Sequence, residues 1–457
     1  MMEYKHGARG RKVVWAFCLC VMAAWPLSAQ RLTLDSCLAL AQRNNADIRM
    51  AQLEQDRAQA VKSQALTKYF PQVSLGGLGY VAVSPVISFG LEDVQSNDMR
   101  DLLRAIYEVF SEETDVSDRL ELMKSGLSAT VVAAQPLFAG GRIVNGNRLA
   151  SLGREAASLK TEMTVRDVME NVESAYYLLA GLREKETTVE ASLRLIDSLD
   201  HVVSTAVANG LATRSDALQV ELKRREIEAM RQKLASGIGL ARRLLANMIG
   251  VEYNDSLVFS EVGTTTPPPL VFRRPDEGRM ERPESRLLQI GVESQRLQKK
   301  MAVGEALPQL SLLGIGYYGN VVRNYFSGNA IVGLRLSIPL TSWAETSYKM
   351  AEHEALINEA LVRQKNLGEK MRLEEQKAYS DMLDAWQLML SDSAALEVAR
   401  ENWRLASLNY GVGNATITEV LQAQTLMLRA ENAIADRRTE YVVARRRYMD
   451  LASFVQR

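Results

Sequence analysis

The sequence predicts a mainly α-helical chain with a membrane β-barrel portion, built from two tandem repeats of helix, strand, strand, long helix and long helix. Three observations predict this class. A set of residues returns at one constant offset. Two segments of each repeat hold a helical period well beyond the usual globular helix length. The segments between them alternate apolar and polar residues over the length of a bilayer-crossing strand.

The chain has 457 residues, 47% of them hydrophobic, which is enough to bury a large core. Lys plus Arg equals Asp plus Glu at 55 each, so no global field draws nucleic acid or an acidic partner. Basic residues from Lys5 to Lys12, an apolar run over 13–26 and the small residues of Leu27-Ser28-Ala29-Gln30 read as a secretory signal over residues 1–29. The run is shorter than the roughly 20 residues a spanning helix needs. Gln30 rather than a cysteine follows the expected cut, so a lipoprotein is not expected. Cys18 and Cys20 leave with the signal, and Cys37 alone cannot make an internal disulfide. Beyond residue 30 no apolar stretch reaches about 18 residues, so a membrane crossing has to be a β-barrel.

The first repeat occupies residues 30–250 and the second 283–457. Pro136 and Pro339, Ala175-Tyr176 and Ala378-Tyr379, and Ala241-Arg242-Arg243 and Ala444-Arg445-Arg446 all stand 203 positions apart. Gly210, Thr213, Leu218 and Gln219 return at the same offset as Gly413, Thr416, Leu421 and Gln422. Upstream, Pro71-Gln72-Val73-Ser74-Leu75 matches Pro308-Gln309-Leu310-Ser311-Leu312 at an offset of 237, so the first repeat carries 34 extra residues between its strands (237 − 203). Residues 33–68 read as one helix with 283–305 as its partner. Residues 251–282, which include Thr264 to Pro269, read as a linker or equatorial segment.

The strands are expected near 70–84, 126–138, 308–320 and 329–340. Val73, Leu75, Gly77, Gly79 and Val81 fall on one face of the first, with Gln72, Ser74, Gly76, Leu78 and Tyr80 on the other. Val332, Leu334, Leu336 and Ile338 alternate with Gly333, Arg335 and Ser337 in the last. Eight strands make the smallest bacterial barrel, and open edges in lipid leave amides unpaired. Four strands must therefore be pooled between chains; closure by itself leaves dimer and trimer open.

The long helices are expected at about 140–208 and 211–249, then 343–410 and 415–455. Some 60 residues span about 90 Å, the length of a rod. Val165, Val168, Val172, Ala175, Leu179 and Leu182 form a seam at three- and four-residue spacing, as do Ala378, Met382, Ala385 and Met389, then Leu396, Ala399, Trp403 and Ala406. Methionine and aromatic residues at these positions read as core.

The exported signal, the Asn-rich helix start at Asn45-Ala46-Asp47-Ile48-Arg49, the Pro-Gln strand starts, the Pro136 and Pro339 strand ends and the duplicated glycine turns together resemble the TolC-type outer-membrane factors. The resemblance runs from about Leu32 to Phe454. It implies a homotrimer whose twelve strands form a barrel in the outer membrane of a Gram-negative-type bacterium, continued by an α-helical periplasmic tunnel. It further implies a passive channel of a tripartite efflux or type I secretion system, served by a periplasmic adaptor and, through it, an inner-membrane transporter.

In such proteins the turns between long helices form the periplasmic tip that meets the adaptor. Here these are Val207-Ala208-Asn209-Gly210-Leu211-Ala212-Thr213 and Tyr410-Gly411-Val412-Gly413-Asn414-Ala415-Thr416. The resemblance assigns adaptor contact to Gly210, Leu211, Thr213, Ser215, Val412, Gly413 and Thr416, and aperture lining to Asp216, Glu419 and Gln422. The residues themselves suggest helix ends. Gly210 and Gly413 suit a turn through positive φ. Thr213 or Ser215 with Asp216, and Thr416 or Thr418 with Glu419, suit the next N-terminus. In the family's second tip an Arg is followed by two acidic residues; here Ala415 takes the Arg position, Glu419 the first acidic one and Gln422 the second.

The extra loop of the first repeat, residues 85–126, faces outside the cell on this architecture. It holds either a short amphipathic helix over 99–110 or an acidic loop without structure. No phosphate-binding glycine loop, zinc motif or nucleophile elbow is present, so no cofactor, metal or enzymatic activity is expected. The competing reading is a periplasmic coiled-coil adaptor or structural protein, which would share the long helices but not the bilayer-length strands.

Overall fold

The computed structural model describes residues 31–84, 87–90, 96–98, 100–102, 104–105, 119–122, 125–254, 258–259, 282–322, 325–341 and 343–453. The signal segment, the tract from Thr264 to Pro269 and most of the extra loop lie outside them. Within the loop, residues 97–98, 100–102 and 104–105 are helical, and the remainder of 99–110 falls outside the described residues.

The helices are α1 (Leu34–Asn44), α2 (Ala46–Thr67), α3 (Arg142–Ala208), α4 (Arg214–Met248), α5 (Pro283–Glu305), α6 (Trp343–Gly411) and α7 (Ile417–Ser453). The strands are β1 (Arg31–Leu32), β2 (Gln72–Val81), β3 (Ile87–Gly90), β4 (Arg119–Leu122), β5 (Ser125–Ala139), β6 (Val258–Phe259), β7 (Gln309–Val322) and β8 (Tyr325–Ser337). The 67 residues of α3 rise about 100 Å at 1.5 Å each. Among the described residues no helix is long and apolar enough to cross a membrane.

The single helix expected over 33–68 is two helices. Asn45 sits between them in an extended conformation with ψ 133°. Its Oδ1 accepts from the backbone N–H of Asp47 at 2.8 Å and of Ile48 at 3.2 Å, which caps α2. Its Nδ2 donates to the Met248 carbonyl at 2.8 Å. Helical period continues across the break because both helices bury the same stripe, so periodicity could not reveal it. The strand ends also differ from expectation: β8 starts earlier, at Tyr325, and ends at Ser337 before Pro339, whereas β5 runs through the equivalent Pro136 to Ala139 with a register shift between Pro136 and Phe138.

Two compact units are present, and each draws on both repeats. One comprises the described residues up to Leu53, Leu159–Ser285 and those from Leu367 onward; the other is Glu54–Ser158 with Arg286–Asn366. In the first, helices pack through the predicted seam. Val172, Leu179, Cys37 and Leu245 are buried together with Ile238 and Ile249. A second cluster joins Ala378, Met382 and Ala385 of α6 to Tyr441, Tyr448 and Leu451 of α7. The two clusters use equivalent positions: Leu179, Ile238 and Leu245 stand 203 residues before Met382, Tyr441 and Tyr448. The second repeat thus fills two of these sites with larger side chains, Tyr441 in place of Ile238 and Tyr448 in place of Leu245, and Trp386 tilts against Tyr441 at 4.9 Å between ring centroids. Burial pushes the Cys37 thiol up to about 11, so it sits in the core as a small hydrophobe.

One ion cluster of this unit is poised against neutral pH. Glu173 and Asp450 both lie 3.1 Å from the Arg446 Nε. Desolvation raises both acids despite that guanidinium. A folded-state value above the unfolded one favours the fold at low pH, and that contribution is lost as pH rises through the folded value. Glu173→Gln is therefore expected to raise the melting temperature at pH 8 and to change it little at pH 4. Equal shifts at both pH values in a thermal melt would contradict this.

The second unit contains the sheet. Strands β2, β5, β7 and β8 lie side by side, all antiparallel, with β3 and β4 attached beyond β7 through Leu122 and Val322. The register pairs Ser74 with Val132 and Leu75 with Val131, then Ser311 with Arg335 and Leu312 with Leu334. Beneath the sheet, Asn147 Nδ2 donates to the Ala65 carbonyl at 2.9 Å, and Arg286 pairs with Glu155 at 2.7 Å.

Candidate functional site: two capped turns and a two-faced sheet

Both inter-helix turns are built by the same hydrogen bonds, 203 residues apart. In the first, Gly210 takes φ +74°, the Gly210 N–H donates to the Val207 carbonyl and the Leu211 N–H to the Ala206 carbonyl. In the second, Gly413 takes φ +80°, its N–H donates to the Tyr410 carbonyl and the Asn414 N–H to the Asn409 carbonyl. This closing pattern satisfies the last helical carbonyls and requires a left-handed residue, which glycine adopts at least cost.

The next helices start with matching caps. Thr213 accepts from the Asp216 N–H, and Asp216 Oδ2 accepts from the Thr213 N–H at 2.9 Å. Thr416 Oγ1 accepts from the Glu419 N–H at 3.4 Å, and Glu419 Oε2 accepts from the Thr416 N–H at 2.9 Å. Each is a reciprocal capping box, worth about 1 kcal/mol. Of the alternatives open at each turn, Thr213 and Thr416 are the caps. Ser215 is an exposed second residue of α4, and Thr418 instead donates to Gln219 Oε1 at 2.9 Å, tying the start of α7 to α4.

That tie borders a groove between α4 and α7. It is lined in equivalent pairs, Gln219 with Gln422, Leu222 with Thr425 and Glu226 with Arg429. Its floor is the cluster of Val220, Ile227, Ile417, Leu421 and Leu428 against Val203 of α3. Tyr410 packs on this cluster, and its hydroxyl is pushed up by burial and then by the charge of Asp216. Leu211 and Val412 project from the two turns, 83% and 70% exposed.

The carboxylates of Asp216 and Glu419 are thus held by backbone N–H groups rather than swinging freely, and Gln422 lies exposed one helical turn further on. Sequence reasoning placed Tyr410 in the second turn and Gln219 among the duplicated positions but gave neither a role in the site. The return of Gln219 as Gln422 was the available signal for the groove; nothing local signals Tyr410. Among the described residues no group of three metal-ligating side chains occurs.

The four long strands have two unlike faces. Val73, Leu75, Val131, Leu312, Leu334 and Leu336 share one face and are all exposed, Leu75 to 77%. The opposite face carries Gln72, Ser74, Thr130, Ser311, Tyr317 and Arg335 interspersed with the apolar Leu78, Val132, Ile315 and Ile331. An apolar face this extensive left open to water is costly at roughly 25 cal/mol per Å².

The sequence model of a family described as outer membrane efflux protein matches residues 37–237 and 279–451. Similar solved structures include the outer membrane protein VceC of Vibrio cholerae, at TM-score 0.73 and 18% identity over 92% of this chain and 95% of that one. The CmeC outer membrane channel of Campylobacter jejuni gives TM-score 0.75 and 15% identity over 92% and 85%. The MtrE outer membrane channel of Neisseria gonorrhoeae, in its open state, gives 0.71 and 16% over 92% and 88%. No curated protein matches the sequence. The structural likenesses establish the fold, and the family match takes in both repeats, both capped turns and all four long strands. This chain belongs to the outer membrane efflux protein family, whose members are non-enzymatic transport channels.

Proposed function

We propose that three copies of this chain close a twelve-stranded outer-membrane barrel, continued by a periplasmic helical duct that passively conducts substrate delivered through an adaptor from an inner-membrane transporter. The observation that carries this reading is the sheet. Four long strands expose an apolar face, and among the described residues β2 pairs only with β5 and β8 only with β7. Open edges in lipid strand their amides. Joining β8 of one copy to β2 of the next removes both edges, and three copies of four strands give an even number within the known barrel range.

On this reading the two capped turns are the tip. Gly210, Leu211, Thr213, Ser215, Val412, Gly413 and Thr416 present the adaptor contact, with Leu211 and Val412 as its exposed apolar points. Asp216, Glu419 and Gln422 line the aperture. Transport draws its energy from the partner transporter.

Detergent-purified protein is expected to have three times the mass of one chain and to open conducting pores in planar bilayers; a folded monomer that stays in water without detergent would overturn the duct. Glu419→Gln tests the aperture. Glutamine also serves at the third position of a capping box, so the helix start survives while three charges leave the ring. The ratio of cation to anion permeability is expected to fall several-fold, with weaker divalent block; an unchanged ratio would remove Glu419 from the aperture.

A further inference from the structure

The sheet unit holds a cavity of about 1210 Å³ between the polar face of the strands and helices α2, α3 and α5. Its charged lining is of one sign. Arg57 and Lys68 come from α2, Arg142 from the first turn of α3 and Arg335 from β8, and among the described residues no carboxylate lines it. In a chain with equal acidic and basic residues this asymmetry does not follow from composition.

Arg335 sharpens the point, for it is the one charged residue in β2, β5, β7 and β8. It lies opposite Ser311, on the face turned into the cavity. None of the four cations forms an ion pair among the described residues. Arg142 donates from Nε to the Ala139 carbonyl at 3.4 Å, a neutral partner that leaves its charge uncompensated. Between the cations the wall sets the apolar side chains of Val61, Phe138, Ile143, Leu149 and Met301 among neutral polar ones such as Gln64, Gln72 and Asn147. Uncompensated cations beside apolar wall fit a ligand with an acidic head and a hydrocarbon or aromatic body.

We propose that this cavity is a vestibule that selects amphiphilic organic anions, carboxylates or sulfonates of drug size, during their passage. The inference rests on the duct reading, in which the polar face of the sheet lines the lumen. Three copies then set twelve cations around it, four from each. A cationic wall raises the local concentration of organic anions and repels cationic amphiphiles. Because Arg57, Lys68 and Arg335 are exposed in the single chain, salt screens them, with a Debye length of about 10 Å at 0.1 M falling to about 3 Å at 1 M.

The test uses the full-length protein in planar bilayers. Once conductance is established, 1-octanesulfonate or octyltrimethylammonium is added at the barrel side, remote from the tip carboxylates. The sulfonate is expected to block current at a concentration at least tenfold lower than the cation does at 0.1 M KCl, with the preference much reduced at 1 M KCl. The triple substitution Arg57→Gln, Lys68→Gln and Arg335→Gln is expected to raise the blocking concentration of the sulfonate about tenfold and leave that of the cation unchanged or lower.

Normal conductance with equal block by the two probes overturns this inference and leaves the duct standing. So does a triple variant that conducts normally and keeps the full sulfonate preference. Absence of conductance in the unsubstituted protein overturns the duct reading, and this inference with it. The comparison of the two probes on the unsubstituted channel decides the question without relying on the variant.

Discussion

Gly140→Ala is expected to destabilise the sheet unit by about 3–5 kcal/mol, at the top of the range for single substitutions. Gly140 links β5 to α3 with φ +60°, a conformation that alanine adopts only with strain of about 1 kcal/mol. The larger part comes from contact. A Cβ there would stand 2.2 Å from the Gly304 carbonyl oxygen and 2.8 Å from its Cα, both backbone atoms that cannot rotate away. The contact is reciprocal, since a Cβ on Gly304 would meet the Gly140 carbonyl oxygen at 2.3 Å. The end of α5 and the turn after β5 touch backbone to backbone, and any side chain forces them apart.

Gly304→Ala separates the two causes. Gly304 lies within α5 and its φ is not positive, so it meets the clash without the left-handed strain. Its cost is expected to fall about 1 kcal/mol below that of Gly140→Ala. Thermal or denaturant unfolding in detergent measures both. A Gly140→Ala protein within 1 kcal/mol of the unsubstituted one would show that the backbones separate freely.

Asn45→Ala is expected to cost about 2–4 kcal/mol. Loss of the cap on α2 accounts for about 1 kcal/mol. The rest arises because Asn45 is only 8% exposed and its Nδ2 is the donor to the Met248 carbonyl. Removing a buried partner leaves an acceptor unsatisfied at about 1–3 kcal/mol. Asn45→Asp retains the acceptor for Asp47 and Ile48 but sets a carboxylate oxygen against the Met248 carbonyl. It should keep α2 capped and still release the end of α4. Hydrogen exchange distinguishes them: the alanine variant loses protection at both helix ends, the aspartate variant at Met248 and its neighbours. Unchanged protection in both variants would show that the break between α1 and α2 stands without Asn45.

Legibility in the sequence followed the range of the interaction responsible. The duplicated turns were readable because a helix stop through glycine and a helix start through Thr-x-x-Asp or Thr-x-x-Glu are set within about seven residues. Which hydroxyl caps was not readable, since Thr213 and Ser215 have the same chemistry and only the backbone path selects Thr213. The buried seam was readable from spacing, and Met382, wholly buried, shows methionine there as packing. The helix start at Asn45 was signalled locally, because its cap bonds reach only Asp47 and Ile48, whereas its bond to Met248, 203 residues away, was not readable.

By itself the sequence determined the duplication, the seam residues, the alternation of the strands and the glycine turns, because each is a periodic or local pattern that neighbouring residues impose on one another. Only the tertiary structure decided that each compact unit is assembled from both repeats, that Gly140 and Gly304 meet backbone to backbone, and that Arg57, Lys68, Arg142 and Arg335 line one cavity. Those are juxtapositions across as many as 278 positions (335 − 57), set by how strands and helices pack after they form; no local pattern of residue types encodes which distant partner a side chain will meet.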